Sequence, residues 1–490
     1  MGESFAALLE ATARRQPQAT ALVWDGGALT FRDLERRAGG VARALAARGA
    51  RAGDVIALAL PNGWPFVAAF LGTLKLGATV VPLNPLLSPS ERERVTGHLG
   101  PKLLIESVTE EEADWPAVDC DAPALILYTS GSTGEPKGSL LSHRALRLAN
   151  ESWAEPVMAL GPADTVLAVL PLAHSFGLNG ALLAPLLAGS SVCLMERFVP
   201  EDVLAAIARH RVTVLPAVAT MFRRLLDSPA LPAADLSSLR LAVSGAAPCP
   251  WEIAEEWRRR TGVRLLRGYG MTELFRPISY LEGDPRDVPD AIGRPVPGVE
   301  VCLVAEDGQV LGAGRSRRAL DQVARRARRL PGRARGHAGG ARGRLVQDGR
   351  SRHALARGFV KIVGRKKDLI LRGGYSVVPG EVEAVLLAHP AVAEAAVVGA
   401  PHATLGEEIA AFVTLRPDTA AAPDDLIAHC RERLAAFKYP RRVSIVPELP
   451  KSPTGKILKS RLTLLGACRR NPARAQRLTP ACRSSAMTSA

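Results

Sequence analysis

Residues 128–139 read Tyr-Thr-Ser-Gly-Ser-Thr-Gly-Glu-Pro-Lys-Gly-Ser. The apolar run 122–127 precedes this stretch and predicts a short buried strand that carries it to the edge of a sheet. Its glycines let the backbone bend so that consecutive N–H groups converge on one anion. Its Ser and Thr hydroxyls add donors, and Lys137 adds a positive charge. The pattern predicts a polyphosphate-binding loop, with a flexible linker as the alternative on composition alone.

The length of 490 residues exceeds what one hydrophobic core usually supports, so two or more domains are expected. No run of about 18 uncharged apolar residues occurs, and the first residues lack the basic-then-apolar pattern of a secretory signal. The seven cysteines are dispersed without a C-x-x-C pair, which is typical of reduced thiols and not of a zinc site. We therefore expect a cytoplasmic protein without a transmembrane segment.

The formal charge of +15 is concentrated in two segments. Residues 315–357 contain fourteen arginines against two aspartates, and residues 461–490 contain six arginines and no acid. Removing these two contributions, +12 and +6, leaves −3 for the rest of the chain. A basic surface that would bind nucleic acid along the whole protein is therefore not expected.

Helical and strand patterns alternate over residues 5–120 and again from Thr165, which predicts parallel sheets with helices on both faces. Ligands of such sheets bind beyond the carboxyl ends of the strands. Small residues at 244–248 would let a flat ring approach the backbone, and the stretch 268–273 offers an aromatic ring, a hydroxyl and a carboxylate. His174 ends another strand. The alternative interpretations are a structural turn for the stretch 268–273 and a buried core histidine for His174.

The order and spacing of these stretches, between residues 20 and 461, resemble the adenylate-forming family of acyl-CoA synthetases, peptide-synthetase adenylation domains and luciferases. The resemblance, which is strongest to fatty-acid-type CoA ligases, implies an α/β fold. A large N-terminal domain (1–363) would contain two doubly wound α/β subdomains and a small β subdomain. A hinge (364–368) would connect it to a small mobile α+β C-terminal domain (369–461). Residues 462–490 would form a disordered tail.

The resemblance also implies a site for ATP, Mg²⁺ and CoA. The implied ATP-binding residues are Thr129, Ser130, Gly131, Ser132, Thr133, Gly134, Lys137, Gly245, Ala246, Ala247, Tyr269, Gly270 and Arg365. The implied catalytic residues are His174, Thr272, Glu273, which would also hold Mg²⁺, and Lys456, which would bridge the substrate carboxylate and the α-phosphate. Lys367 would be the hinge residue, and Gly373 and Gly374 would let the pantetheine arm of CoA pass.

The chain departs from the family before residue 358. Family members carry a Thr-Gly-Asp whose aspartate holds the ribose hydroxyls, and residues 348–358 contain no such aspartate. The arginine-rich segment 315–357 has about the family's length but unrelated content. We interpret it as a pair of compensating frame shifts or a sequence error, and we extend this interpretation to the tail. A natural basic insertion that binds a partner is the alternative.

The acid substrate is only partly predicted. Relatives that activate amino acids have an aspartate in the region of 174–178, and its absence here favours a fatty or other apolar acid. Arg276 could recognise a second carboxylate, as in a malonate-type acid, although we expect a surface or second-shell arginine. Transfer to CoA is the first hypothesis for the second step. Loading of a carrier-protein thiol and a catalytically impaired nucleotide-binding remnant are the alternatives, and the oligomeric state is open.

Overall fold

The structure is a computed structural model. It describes residues 4–462 except 86, 88, 119–121, 130–136, 248, 273–274, 285–287, 290, 298, 300, 302, 305–309, 312–349, 355–358, 366–369, 373–374, 378, 403–404, 435, 437, 452–456 and 460. The described residues divide into two compact units. The first unit comprises those up to 345 together with 354–361, and the second comprises 346–353 and those from 362 onward. The predicted domain and hinge boundaries remain predictions.

The first unit alternates helices and strands along the chain. Its helices are α1 (Phe5–Arg15), α2 (Phe31–Ala47), α3 (Trp64–Lys75), α4 (Pro89–Leu99), α5 (His143–Ser152), α6 (Ala184–Ala188), α7 (Pro200–Arg209), α8 (Ala219–Asp227) and α9 (Trp251–Thr261), with π-helical turns at Trp153–Val157 and Gly177–Leu183 and a 3-10 turn at Leu231–Ala233. Its strands are β1 (Thr20–Trp24), β2 (Gly27–Thr30), β3 (Val55–Leu58), β4 (Thr79–Pro82), β5 (Leu103–Ile105), β6 (Pro123–Thr129), β7 (Lys137–Ser142), β8 (Thr165–Ala168), β9 (Ser191–Leu194), β10 (Val214–Ala217), β11 (Leu241–Ser244), β12 (Arg264–Leu266), β13 (Gly268–Met271), β14 (Phe275–Ser279), β15 (Arg294–Pro295), β16 (Leu303–Val304) and β17 (Val310–Leu311).

Two larger sheets organise this unit. One has the order β12-β11-β10-β8-β9-β1-β2 and the other β5-β3-β4-β6-β7. Both are parallel except for the antiparallel edge pairs β1/β2 and β6/β7. A small antiparallel sheet has the order β13-β14-β15. The predicted α/β class with parallel sheets is therefore confirmed.

Local sequence signals set the ends of several helices. Thr30 Oγ1 accepts a hydrogen bond from the Asp33 N–H (3.1 Å), and Asp33 Oδ2 accepts one from the Thr30 N–H (3.1 Å), so α2 begins with a capping box. At its other end α9 stops at Gly262, whose φ of +74° is the left-handed conformation that glycine adopts without strain. Apolar faces of these helices are buried against the sheets, as the contact of Phe222 on α8 with Trp257 on α9 shows (ring centroids 5.1 Å apart).

The second unit forms a smaller α+β fold. Its elements, together with two strands near the division, are β18 (Arg350–Ala354), β19 (Val360–Arg365), β20 (Ile370–Arg372), β21 (Tyr375–Val377), α10 (Pro379–Leu387), β22 (Val392–His402), β23 (Gly406–Leu415), α11 (Pro423–Arg433) and β24 (Arg442–Ile445). Strands β22 and β23 form an antiparallel hairpin, and α11 crosses over to β24, which is parallel to β23. The crossover agrees with the predicted βαβ-like pattern.

Candidate active site

Three of the predicted site stretches follow neighbouring parallel strands of the seven-stranded sheet. Strands β12, β11, β10 and β8 lie side by side, and Val243 near the end of β11 is in register with Leu266 at the end of β12. The residues that follow β11, β12 and β8 are 245–247, 268–272 and 171–177. Because parallel strands end at the same edge of a sheet, these stretches converge there, as expected for a ligand site.

The turn after β11 brings backbone close to this edge. Ala246 has a φ of +63°, which is the left-handed region, and the Ala247 N–H donates to the Gly245 carbonyl (2.8 Å). A Cβ on Gly245 would lie 3.1 Å from Arg276 Nη1 and 3.2 Å from a ring carbon of Phe176. Gly245 is buried and has no room for a side chain unless Arg276 or Phe176 moves, whereas Ala246 after it is exposed at the edge of the sheet.

Strand β13 (Gly268–Met271) pairs with β14 in antiparallel register, and Tyr269 lies opposite Ile278. Tyr269 is largely buried, with 8% of its surface exposed. Thr272 is half-buried at the turn, and Gly270 is exposed. The hairpin thus holds the predicted phosphate-binding hydroxyl of Thr272 on a tight turn at the edge of the sheet. Glu273, the predicted Mg²⁺ ligand, lies outside the described residues.

His174 lies in the turn after β8, where its Nε2 accepts a hydrogen bond from Asn84 Nδ2 (3.2 Å). The amide nitrogen can only donate, so Nε2 carries no proton and the imidazole is neutral. Burial lowers the pKa of His174 to about 4, which gives the same protonation state at pH 7. His174 is therefore a neutral polar group at this edge and not a cation.

The phosphate-loop prediction falls mostly outside the described residues. Strand β6 confirms the strand predicted before the loop, and Thr129 pairs in antiparallel register with Lys137 on β7, so the two ends of the stretch are neighbours. Also outside the described residues are Ser130, Gly131, Ser132, Thr133, Gly134, Lys367, Gly373, Gly374 and Lys456, and Arg365 is described only as part of β19. Their roles remain predictions.

Of the two positions expected for Arg276, on the surface or behind the residues that contact the substrate, the surface position is wrong. Only 5% of Arg276 is exposed, and its guanidinium lies over the Trp153 ring (4.8 Å to the centroid). Phe176 stacks on the same Trp153 at 5.5 Å. Arg276, three positions after Glu273, showed no periodicity from which its burial could be predicted, because β14 is buried along its whole length. The cluster of Trp153, Phe176 and Arg276 was missed for that reason.

Other features lie apart from this site. A surface cavity of about 440 Å³ is lined by Trp251, Glu255, Arg258, Gly262, Arg264, Asp284 and Pro289, none of which is a predicted site residue. Within the described residues there is no group of three His, Cys, Asp or Glu side chains that could hold a metal ion. None of the described helices is both long and apolar enough to cross a membrane.

Comparison with known proteins agrees with the geometry. The sequence profile described as AMP-binding enzyme matches residues 9–119 and 106–316, and the profile of the AMP-binding enzyme C-terminal domain matches residues 381–456. Among curated proteins, the chain is 34% identical to the 3-[(3aS,4S,7aS)-7a-methyl-1,5-dioxo-octahydro-1H-inden-4-yl]propanoyl:CoA ligase of Mycobacterium tuberculosis, covering 94% of this chain and 98% of the relative.

Two further matches extend the comparison. The chain is 33% identical to a sulfoacetate–CoA ligase of Cupriavidus necator, over 94% of this chain and 97% of the relative. The crystal structure of the anthranilate CoA ligase AuaEII in complex with anthranoyl-AMP superposes with a TM-score of 0.84 at 29% identity, covering 95% of this chain and 98% of that chain. On the evidence of these matches and of the converging site stretches, the chain belongs to the family of AMP-binding, adenylate-forming enzymes.

Proposed function

We propose that this protein is an ATP-dependent acyl-CoA synthetase. A carboxylic acid would attack the α-phosphate of ATP to give an acyl-adenylate and pyrophosphate, and the thiol of CoA would then displace AMP. The observation that carries the proposal is the convergence of 171–177, 245–247 and 268–272 at one edge of a parallel sheet. Relatives named as CoA ligases, matched over nearly their whole length, support it.

The first unit would bind the nucleotide. Gly245, Ala246, Ala247, Tyr269 and Gly270 would frame the adenine, with Tyr269 stacking on the ring and the four small residues letting it lie close to backbone. Thr272 would donate to the α-phosphate. The loop from Thr129 to Lys137 would surround the β- and γ-phosphates with N–H groups, hydroxyls and one ammonium. We propose Glu273 as the ligand of Mg²⁺, which prefers oxygen ligands and would offset phosphate charge.

The second unit would supply residues that act in the adenylation step and in the transfer to CoA. Lys456 would offset negative charge as the carboxylate approaches the α-phosphate, and Arg365 would bind the ribose. Lys367 would act as the hinge, and Gly373 and Gly374 would let pantetheine pass close to the backbone. Residue 456 is the last residue of the C-terminal family match, so the family pattern extends to this lysine.

Lys456→Ala tests the mechanism. Pyrophosphate release would be measured over a panel of carboxylic acids, first without CoA and then with it. We expect the variant to lower acid-dependent pyrophosphate release about 100-fold or more, because one stabilising charge is lost where negative charge gathers. The matched control is Lys451→Ala, which removes a lysine paired with Glu394 (2.8 Å) and is expected to change the rate less than threefold. Equal rates in the two variants would contradict the role of Lys456.

Two alternative functions remain: a ligase that transfers the acid to a carrier-protein thiol instead of CoA, and a catalytically impaired remnant. A carrier-protein ligase would release pyrophosphate but form no acyl-CoA, and an impaired remnant would bind nucleotide without releasing pyrophosphate. The match to the AMP-binding profile ends at residue 316, where the arginine-rich segment begins. Mass mapping of tryptic peptides from the native protein would decide its origin: recovery of peptides from 315–357 would exclude a sequence error.

We propose a cytoplasmic location. The support is chemical: Cys193 and Cys430 are buried thiols that form no disulfide. Burial raises the pKa of Cys193 to about 12 and that of Cys430 to about 11, which keeps both protonated and unreactive at pH 7. Fractionation of the source cells with an antibody to the protein would test the location, and recovery in a membrane pellet that survives a salt wash would contradict it.

A further inference from the structure

Arg276 is a buried cation with incomplete hydrogen bonding. Its Nε donates to Ser279 Oγ (2.8 Å), and its Nη1 donates to the Ser244 carbonyl (3.0 Å). Its Nη2 has no hydrogen-bond partner and is inaccessible to solvent. A guanidinium has five N–H donors, and a buried one that is left unpaired costs free energy. The structure therefore leaves the Nη2 donor unpaired, and a ligand could reach it only if the side chains that cover it moved.

No carboxylate among the described residues forms an ion pair with Arg276 or with the buried Arg267, whereas several other arginines of the first unit have such a partner. Arg223, for example, is also largely buried, and it pairs with Asp227 (2.7 Å) and Glu256 (2.6 Å). Burial lowers the pKa of Arg276 to about 9, which leaves the guanidinium charged at pH 7. The face of Trp153 offers only partial compensation through a cation–π contact.

The position of this charge relates it to the nucleotide stretches. A Cβ on Gly268 would come within 3.0 Å of the Arg276 guanidinium, and a Cβ on Gly245 would lie 3.1 Å from its Nη1. The guanidinium therefore lies directly against the two glycines that open the stretches 245–247 and 268–272. Phe176, which would lie 3.2 Å from the Gly245 Cβ, forms an aromatic wall beside it. The cluster therefore lies at the same edge of the sheet as the stretches proposed to bind the nucleotide.

We propose that Arg276 binds a second anionic group on the acid substrate, so that the enzyme selects short acids that carry another carboxylate or a sulfonate at the end away from the reacting carboxyl. The inference rests on the proposed function and replaces the expectation of a neutral apolar acid. An anion would accept hydrogen bonds from Nη2 and neutralise the buried charge, and charge-assisted pairs of this kind are among the strongest in proteins. Trp153 and Phe176 would contact the carbons between the two acid groups.

A neutral acid of the same length would leave the guanidinium desolvated and unpaired. Sites built to pair a buried polar group reject analogues that lack its partner by large factors, whereas an extra methylene in an apolar pocket changes the rate by only about 10- to 200-fold. We therefore expect a charged acid to be preferred over its neutral analogue by about 100-fold or more in kcat/KM.

The experiment compares each dicarboxylic acid from malonate to adipate with its monomethyl ester, which removes one charge and retains the reacting carboxyl. Acid-dependent pyrophosphate release gives kcat/KM for each pair. We expect the wild-type protein to prefer one or more diacids by about 100-fold, and Arg276→Gln to reduce that ratio by at least tenfold. Arg276→Lys, which retains the charge, is expected to keep part of the preference.

Arg267→Gln is the matched control. Arg267 is also buried, and its guanidinium lies over Trp251 (5.0 Å) and Tyr280 (5.7 Å) instead of against the two glycines. Its loss is expected to affect diacid and ester alike and to leave the ratio unchanged. A wild-type protein that prefers every ester, or an Arg276→Gln ratio equal to that of the wild type, would overturn the inference and leave the proposed function standing. Failure of the wild type with every acid, including long-chain acids, would instead refute the proposed function.

Discussion

Gly270→Ala tests whether the hairpin formed by β13 and β14 carries the nucleotide site. The register pairs Tyr269 with Ile278 and Met271 with Phe275, with an irregularity between the two pairs that accommodates Gly270. A Cβ at residue 270 would come within 3.0 Å of the Phe275 carbonyl oxygen and 3.2 Å from its carbonyl carbon. Carbon and carbonyl oxygen normally approach no closer than about 3.3 Å, so the added Cβ would overlap this oxygen.

The loss of stability can be estimated from the atoms that must move to make room for the new Cβ. The obstructing atom belongs to backbone, so no side-chain rotation relieves the overlap, and the two strands must separate. Overpacking of this kind costs about 1–3 kcal/mol, and loss of one cross-strand hydrogen bond adds about 1 kcal/mol. We expect the variant to lose about 2–4 kcal/mol of stability in the first unit. With a urea dependence of about 3 kcal/mol per molar, the unfolding midpoint would fall by about 1 M.

The same displacement should weaken nucleotide binding, because Tyr269 and Thr272 move with the strand. Titration calorimetry with AMP would measure it, and a tenfold loss corresponds to about 1.4 kcal/mol. The control is Gly283→Ala in the turn after β14, where a Cβ would meet nothing within 4 Å. If Gly270→Ala shows the same urea midpoint and the same AMP affinity as Gly283→Ala, the close packing of this hairpin does not position the site.

Three further predictions concern the first unit. Lys75→Met leaves the two acidic partners of a buried ammonium without their cation and should lower the free energy of unfolding, measured with urea, by about 3 kcal/mol. Arg43→Met at an exposed ion pair should lower it by less than about 1 kcal/mol, and equal losses in the two variants would contradict this reasoning. The pKa of His174 is below its unfolded value, so the folded state loses stability as pH falls from about 6.5 towards 4. His174→Gln should therefore reduce the stability difference between pH 7 and pH 5 by about 2 kcal/mol, and an unchanged difference would show that the imidazole is not buried. Ala246→Gly relieves a left-handed φ and should raise the unfolding free energy by about 0.5–1 kcal/mol, and a lower midpoint would count against the strain.

Much of the local structure could be predicted because it depends on short-range chemistry. Apolar runs of four to seven residues with turn residues between them identified strands such as β6, β8 and β11, and the glycines and hydroxyls of 128–139 marked a loop between paired strand ends. Parallel sheets followed from the alternation of helices and strands. The order of the motifs was sufficient to indicate the family, which the comparisons then showed.

Strand pairing between distant segments could not be predicted from those patterns. Strand β1, which belongs in sequence to the first alternating segment, pairs in parallel with β9, about 170 residues later, while β3 and β4 pair with each other and with β5 and β6 in the other sheet. The hydrophobic pattern of a strand reports which of its faces is buried and not which strand lies beside it. Only the tertiary structure assigned β1 to the sheet that carries the site stretches.

The sequence by itself determined the chemistry that the chain can offer: a phosphate-binding loop, a Tyr-Gly-Met-Thr-Glu turn and distant lysines, each recognisable from neighbouring residues. The tertiary structure decided which of these groups are close together and how they are charged. It placed the Arg276 guanidinium against Gly245 and Gly268, with no carboxylate partner in the part of the chain that the structure describes, and it placed Asn84 beside a neutral His174. The physical reason is that burial and pairing depend on contacts between residues far apart in the chain, and these contacts, more than residue type, set the free energy of a buried charge.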